Sequence, residues 1–324
     1  VFNESKPDLS EIIVREMGSG DELASELISQ GVRIVFSALP DYPASVIEED
    51  LARSGLVVLS HSTVHRHSDM VPLVIPEVNP HHLDLLEVQT EFGLGALVSC
   101  SNCMVVPLAI SLAPILRKFP VKSIRIHTEQ SISGAGRGAL ERFREGVIPR
   151  PEIIGEPESV VSELRRILET HEGPESSNTD IEITAECERV HREFGHSAKV
   201  EVELSKNFSA HELIEAWSHF QSIAGALDLP SINQKPLIFV SDINQTISSI
   251  NSSNTEPLEE IMQRLMNVYV GEVNISEGKL CFKVVSDNTV RGAAGNSILL
   301  AEMMLAQGII HDSENTLKSS QNIR

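Results

Sequence analysis

Basic residues are in short supply: 26 lysines and arginines stand against 46 aspartates and glutamates in the 324-residue chain, a formal net charge of −20. That balance repels polyphosphate backbones and anionic lipid, so neither nucleic acid nor a membrane surface is expected as a partner. Long apolar runs are missing too. None reaches the ~18 residues of a membrane span, and no basic segment followed by an apolar core opens the chain, so a soluble protein without a targeting signal is expected. Four cysteines are too few for a disulfide framework in a chain this long, which makes the cytoplasm the expected compartment. Cys100 and Cys103 form a C-x-x-C, yet no second pair accompanies it, and zinc or redox use is not expected. A glycine-rich turn between a first strand and a first helix is also absent, and Val1 to Arg33 reads as a mixed stretch.

What is present begins with an alternation. Ile34 to Phe36 is a short apolar strand ending in Ser37-Ala38-Leu39-Pro40, Asp41 to Ser54 reads as a helix, and Gly55 to Ser60 is the next buried strand. This is the spacing of a βαβ unit, so the fold class is α/β with a parallel sheet, and the length suits about two domains. Ligands of open parallel sheets bind beyond the C-terminal strand ends, where Ser37 to Pro40, Ser60 to Thr63 and Ser101 to Cys103 all fall. The chain is organised around Val98 to Leu112, VSCSNCMVVPLAISL, read as the end of a buried strand, a tight turn and a core helix from Met104 to Leu116 with Pro107 in its first turn. Cys103 sits at that helix N-terminus. Orphan N–H groups and the helix dipole favour a thiolate there, while a cysteine taken alone is equally a small buried hydrophobe.

The passage Ser60 to Asp69 is rich in histidine. His61, His65 and His67, with His81 and His82 further on, have spacings that fit no compact site, so no metal is expected. Arg66 beside a strand end can anchor an anion with its planar fork. A strand from Val121 to Thr128 runs into the small residues Ser133-Gly134-Ala135-Gly136, which let backbone approach a ligand. Glu158 to Thr170 reads as an amphipathic helix and His171 to Asp180 as a polar loop. Strands over Ile181 to Cys187 and Ala198 to Leu204 flank a loop carrying Arg189 and His196. Ser209 to Phe220 is a helix opened by a capping box between Ser209 and Glu212. Ile243 to Pro257 is expected to be a mobile loop. Asn288 to Ser297 leads into an apolar helix over Ile298 to Ala306, and the tail beyond Ile310 reads as disordered.

Taken together, SALP (37–40), VPLVIPEVNP (71–80), SNC (101–103), T-x-Q-x-x-SGAG (128–136), RV (189–190), GH (195–196), LPS (229–231) and NTVRGAAG (288–295) resemble aspartate-semialdehyde dehydrogenase of the archaeal and fungal type. The likeness runs from about Ile34 to Ile310. It implies an amino-acid-biosynthetic enzyme, homodimeric or homotetrameric, with an NADP-binding Rossmann domain formed by residues 1–102 and 292–324 and an α/β catalytic and oligomerisation domain over 103–291. The implied reaction is reductive dephosphorylation of L-aspartyl 4-phosphate to the semialdehyde, with release of phosphate. On this resemblance Cys103 is the thioester-forming nucleophile, His196 the acid/base catalyst, and Gln130 the residue that orients the acyl group. Arg189 holds the substrate carboxylate, with Asn102 and Arg66 also on the substrate side. NADP is expected at Ser37, Ala38, Leu39, Pro40, Ser60, Ser133, Gly134, Gly136 and Asn288.

Departures from the family pattern are equally specific. The opening strand and its GxTGxxG loop are not found, so the chain is expected to start inside the first domain and to bind NADP poorly by itself. Ser60-His61-Ser62 replaces SNA or SNS, and Met104 follows the nucleophile where serine or threonine is usual. The substrate-phosphate lysine falls on Ser159 in EPESVVSELRRIL (156–168). Two further readings therefore stay open: a related acyl-CoA reductase such as malonyl-CoA reductase, and a catalytically inactive paralogue serving as a binding or subunit protein.

Overall fold

The computed structural model describes residues 13–168, 181–206, 208–222, 224–250 and 257–310. The expected loop at 171–180 and the tail beyond 310 lie outside these. Within the stretch read as mixed, a helix forms at Gly20–Ser29 (α1), with Asp21 and Glu22 in its first turn, where the helix dipole favours negative charge. It is short because Gly31, at a positive φ of 80°, turns the chain directly into the first strand.

Strand β1 (Ile34–Ser37), helix α2 (Asp41–Arg53), strand β2 (Val57–Ser60), the two-residue β3 (Leu73–Val74) and β4 (Ala96–Cys100) follow in order. The four strands make a parallel sheet in the order β1-β2-β4-β3. Such a sheet must be covered on both faces, and the alternation of its side chains shows how. Val58 and Leu97 point to α1 and α2, packing with Ala24, Leu51 and Leu56. Leu59, Val74 and Val98 point the other way, against Leu299, Leu300 and Met303 of the last helix. Because all the strands run parallel, their C-terminal ends share one edge. There Ser37, Ser60 and Ser99 stand in register across three strands.

After β4 the chain enters α3 (Val105–Lys118), whose residues from Val105 to Leu116 are all buried. Then come β5 (Val121–Gln130), α4 (Arg137–Arg144), α5 (Glu156–Leu168), β6 (Glu182–Arg189), β7 (His196–Leu204), α6 (Ala210–Ser218), β8 (Leu237–Phe239), α7 (Ile243–Ile250), α8 (Leu258–Leu265), β9 (Val268–Ser276), β10 (Lys279–Ser286) and α9 (Gly295–Ala306). The capping box of α6 forms as expected, the Ser209 hydroxyl accepting from the Glu212 N–H. A second, mixed sheet has the order β6-β5-β7-β10-β9-β8. One face buries Ile124, Ile126, Val200, Val202 and Val284 against Leu108, Leu112, Leu164 and Trp217 of α3, α5 and α6. The indole N–H of Trp217 donates to the Ser111 carbonyl at 2.9 Å, joining α6 to α3. The opposite face carries Arg125, His127, Lys199, Glu201 and Lys283 around a shallow groove of about 610 Å³.

The structure corrects one expected element. Ile243–Ile250 is a helix rather than a mobile loop; Asp242 caps it by accepting from the N–H groups of Asn244 and Gln245, and Ile243 and Ile250 anchor it beneath Tyr269 and Val285. The remainder of that passage, 251–256, lies outside the described residues.

Candidate active site

Two junctions, one from each sheet, meet at Cys103. The first is the turn between β4 and α3. The Asn102 side-chain oxygen accepts the Met104 N–H at 2.7 Å, and its backbone carbonyl accepts from Val105 and Val106 at 3.0 and 3.2 Å. This closes the turn around Cys103 and starts the helix one residue later than the sequence suggests. Gly292, in a π-turn over Val290–Ala294, lies against it; a Cβ there would come within 2.7 Å of the Cys103 carbonyl oxygen and 2.8 Å of its Cβ. Only glycine permits that approach.

The second junction is where β5, β6 and β7 end side by side. Gln130 pairs with Arg189 across β5 and β6, and Glu129 pairs with Ser197, which puts His196 at the same level. His196 Nε2 is 3.3 Å from Cys103 Sγ. Its Nδ1 lies 3.1 Å from the backbone nitrogen of Ser131 and 3.0 Å from the Ser131 hydroxyl. Arg189 Nη1 donates to the Ser131 carbonyl at 2.8 Å. Above them the Ser133-Gly134 turn passes so close that a Cβ on Gly134 would stand 2.9 Å from both Arg189 Nη1 and His196 Nε2.

Electrostatics in this cluster differ from the sequence expectation of a helix-stabilised thiolate. Burial pushes the Cys103 thiol up to about 12, and the Glu156 carboxylate adds to it, while Arg66 and Arg189 pull the other way. Loss of hydration therefore outweighs the helix terminus in the free site. His196, wholly buried, is held well below the usual imidazole range by burial and then by the nearby Arg189 and Arg192.

Two carboxylates of α5 escaped sequence reasoning. Glu156 Oε1 accepts from the Gln130 amide at 2.6 Å and the Asn102 amide at 2.9 Å, which places it beside the Cys103 turn. Glu163 is completely buried. Its oxygens accept from Arg66 Nη1 at 3.0 Å, Ser159 Oγ at 2.9 Å, Ser101 Oγ at 3.0 Å and the Asn102 N–H at 2.7 Å. A signal was available: Glu163 shares the buried stripe of α5 with Val160, Leu164 and Ile167, where an acidic residue without donors would be costly.

The other expected residues fall into three places. Ser133, Gly134 and Asn288 join the Cys103–His196 cluster; the Asn288 amide oxygen accepts from Ser131 Oγ, Ser133 Oγ and the Gly195 N–H, each at 3.1 Å. Gly136, at a positive φ of 84°, ends that turn and begins α4. Ser37 to Pro40 and Ser60 lie along the C-terminal edge of the parallel sheet, where the hydroxyls of Ser37 and Ser99 are buried without a partner among the described residues. Arg66 is not free to meet an anion alone, since Glu163 already matches its charge and the His61 carbonyl takes a second N–H at 2.8 Å. The histidines go to separate partners: His65 lies 3.1 Å from buried Glu48 and His82 contacts the Leu73 carbonyl. No cluster of metal-ligating side chains occurs among the described residues.

The chain resembles known proteins in sequence and in fold. Residues 12–86 match the family model of the semialdehyde dehydrogenase NAD-binding domain. The chain is 36% identical to the aspartate-semialdehyde dehydrogenase of Archaeoglobus fulgidus, over 86% of this chain and 78% of the relative. The chain belongs to the aspartate-semialdehyde dehydrogenase family. A malonyl-CoA reductase (NADP) of Metallosphaera sedula is 30% identical over the same shares of both chains. Among solved structures, the aspartate-semialdehyde dehydrogenase of Candida albicans with NADP superposes with a TM-score of 0.69 at 25% identity, covering 86% of this chain and 78% of that one. The family is one of oxidoreductases, and the chain combines a Rossmann-type parallel sheet with a second, mixed sheet. Among the described residues no helix is long and apolar enough to cross a membrane.

Proposed function

We propose that the protein carries out the family reaction, NADP-dependent reductive dephosphorylation of L-aspartyl 4-phosphate to the semialdehyde, through a thioester on Cys103. The observation that carries this reading is the 3.3 Å contact between Cys103 Sγ and His196 Nε2, made between two separate sheets at a helix N-terminus. Cys103 attacks the acyl carbon as thiolate, the C–S bond forms, and the C–O bond to phosphate breaks with the electron pair leaving on phosphate. Arg189, part-buried at the end of β6, offers its fork to the substrate carboxylate. Glu156, whose partners are two neutral amides, is suited to the substrate ammonium, and Gln130 and Asn102 place the acyl group between them.

We assign NADP to Ser37, Ala38, Leu39, Pro40 and Ser60, at the shared strand edge where the Ser37 and Ser99 hydroxyls are buried without a partner among the described residues, and to the Ser133-Gly134-Gly136 turn and Asn288 beside Cys103. When bound, its reduced form supplies the hydride that converts the thioester to the aldehyde. Residues 1–102 with 292–324 would form the cofactor domain and 103–291 the catalytic domain. The charged outer face of the mixed sheet, which holds both signs in register, is suited to self-association as a homodimer or a homotetramer; sedimentation of the purified protein tests this.

One observation favours a second reading. Ser159 supplies no charge beside Arg66, and Glu163 already pairs with that arginine, which makes the pair a weaker seat for a phosphate dianion than a free cation would be. An acyl-CoA thioester makes no such demand. The deciding assay runs the reaction in the oxidative direction with aspartate semialdehyde or malonate semialdehyde and NADP, offering inorganic phosphate or coenzyme A as acceptor. Phosphate-dependent NADPH formation from aspartate semialdehyde supports the first reading, and coenzyme A dependence the second. Failure with both acceptors refutes both.

A further inference from the structure

A cavity that shares no residue with the Cys103–His196 cluster lies beside α9. Leu299, Leu300 and Met303 pack that helix against the parallel sheet, whereas Gly295, Ile298 and Glu302, spaced along another face of it, line a space of about 620 Å³. Helix α8 contributes Glu259, Met262, Gln263 and Met266. Pro230 and Ser231 complete it from the Leu229-Pro230-Ser231 stretch, a motif with no part in the reaction assigned above. Its apolar surface comes from Ile232, Met262, Met266 and Ile298, and only glycine at 295 leaves room for the Met266 sulfur against the start of α9. Unbranched thioether side chains adapt to a flexible apolar guest. A concave space of this size, with apolar walls and a few convergent polar groups, is the form that small-molecule sites take.

The polar groups around it have spent their donors. The Ser231 N–H donates to Glu302 Oε2 at 2.9 Å, and its hydroxyl donates to Oε1 at 2.7 Å. The Asn233 amide gives its N–H groups to the Gln263 carbonyl at 3.0 Å and to Asn267 Oδ1 at 2.7 Å. What Ser231 and Asn233 still offer is oxygen lone pairs. The Gly295 N–H is taken by the Val290 carbonyl. Glu259 and Glu302 are acceptors only, and both donors that reach Glu302 are neutral, so neither cancels its charge. Among the lining side chains Gln263 alone keeps a donor, and no Lys, Arg or His is present.

We propose that this cavity binds a small organic ammonium, its charged head held by Glu302 with Glu259 adding negative charge, and its unbranched apolar body laid along Met262, Met266 and Ile298. An ammonium brings three donors and a positive charge to a space that supplies acceptors and negative charge. The same carboxylates reject anions. They also reject free α-amino acids, whose carboxylate would meet Glu259 and Glu302 with no lining cation to offset it. The ligand class is therefore amines, decarboxylated amino acids included. This assignment stands apart from the reaction at Cys103 and does not depend on it.

Carbon NMR of the full chain labelled at the methionine methyl groups tests this without turnover, Met262→Leu and Met266→Leu identifying the two signals that report on the cavity. The probes are pentylamine, norleucine and hexanoate, which share one alkyl chain and differ in the charge it carries. Pentylamine should shift both signals saturably, with half-saturation at about 1 mM. Norleucine and hexanoate should each bind at least ~10-fold more weakly, since each sets a carboxylate against Glu259 and Glu302. Glu302→Gln removes the charge that holds the ammonium and should weaken pentylamine about 10-fold. Because Glu302 also holds Ser231 in place, Glu259→Gln, at an exposed position, is the second variant; it should weaken pentylamine about 2- to 5-fold and leave the methionine spectrum of the free protein unchanged. No saturable shift of either signal up to about 50 mM pentylamine overturns the proposal. So does equal affinity for hexanoate or norleucine, or a pentylamine response that neither carboxylate variant alters.

Discussion

Replacing Glu163 by alanine should be among the most damaging single changes away from the nucleophile. The side chain is wholly buried and Arg66 is 7% exposed, so removing the carboxylate strands a guanidinium in a dry interior. Breaking a buried pair in this way costs about 3–5 kcal/mol. The upper end applies because the Asn102 N–H, fixed in the turn before Cys103, also loses the Glu163 carboxylate as its acceptor and cannot rotate to another. At roughly 2 °C per kcal/mol for a domain of this size, the melting midpoint should fall by about 10 °C. Glu163→Gln keeps the shape and half of the acceptors and should lose about half as much. A double-mutant cycle with Arg66→Leu isolates the pair: with both charges gone, part of the stability returns. A second readout follows from the same change. Glu163 opposes ionisation of Cys103 while Arg66 assists it, so freeing Arg66 should move the pH midpoint for alkylation of Cys103 downward. A midpoint shift of under about 2 °C for Glu163→Ala, or an upward move of the alkylation midpoint, would refute the reasoning.

Cys103→Ser should abolish turnover while leaving the melting midpoint and sedimentation unchanged, because a serine hydroxyl lacks an accessible anionic form near neutral pH; near-normal activity would sink the nucleophile assignment. Arg189→Lys keeps the charge but loses the two-pronged fork, so KM for the carboxylate substrate should rise about 10-fold or more with a smaller effect on kcat, and unchanged kinetics would return Arg189 to a structural role at the Ser131 carbonyl. His82 is lowered to about 4, chiefly by burial, with His81 and Arg166 adding like charge. A group whose folded value lies below its unfolded one stabilises above the unfolded value near 6.5 and loses that contribution as pH falls towards 4. Denaturation of His82→Gln should therefore depend less on pH across that window than the parent protein does, and equal slopes would show that His82 is not the titrating group.

The parallel half of the fold was readable from residues 34–60 because short apolar runs alternate with one helical segment and end in Ser-Ala-Leu-Pro and Ser-His-Ser. Strand ends of that kind point to a shared edge whatever the rest of the chain does. Cys103 could be placed at its helix for the same local reason: Ser101, Asn102 and the apolar run after them are sufficient. Gln130, Arg189 and His196 could be named beside Cys103 only through the family resemblance, since they come together by pairing among β5, β6 and β7, and pairing of strands separated by long stretches of chain leaves no local trace. Glu156 and Glu163 were missed for a different reason. A glutamate in an amphipathic helix reads as solvated surface unless its place in the buried stripe is counted, and the donors that make its burial tolerable sit far away in sequence, at Arg66 and Ser101. For the thiol, the helix N-terminus is visible in sequence, while the desolvation that opposes it is not.

The short Cys103–His196 contact depends on how the two sheets are placed, since each side chain belongs to a different one. Two buried ion pairs cross between the regions they anchor. Arg66, after β2, meets Glu163 of α5, and Glu77, after β3, meets Arg291 of the π-turn at 2.7 Å, with both members of that second pair at most 1% exposed. Buried pairs of this sort contribute little net stability, because desolvation offsets most of the attraction. What they do impose is a penalty on misplacement: a slide of either region by an ångström or two leaves a charge buried and unmatched, at a cost of several kcal/mol. Arg291 immediately precedes Gly292, the residue pressed against Cys103, and Glu163 holds the N–H of Asn102 immediately before it. Cys103 is thus gripped on both sides by residues whose own positions are set by buried charge pairs. In a crevice between two sheets, that is how a 3.3 Å separation can be kept without a covalent tie.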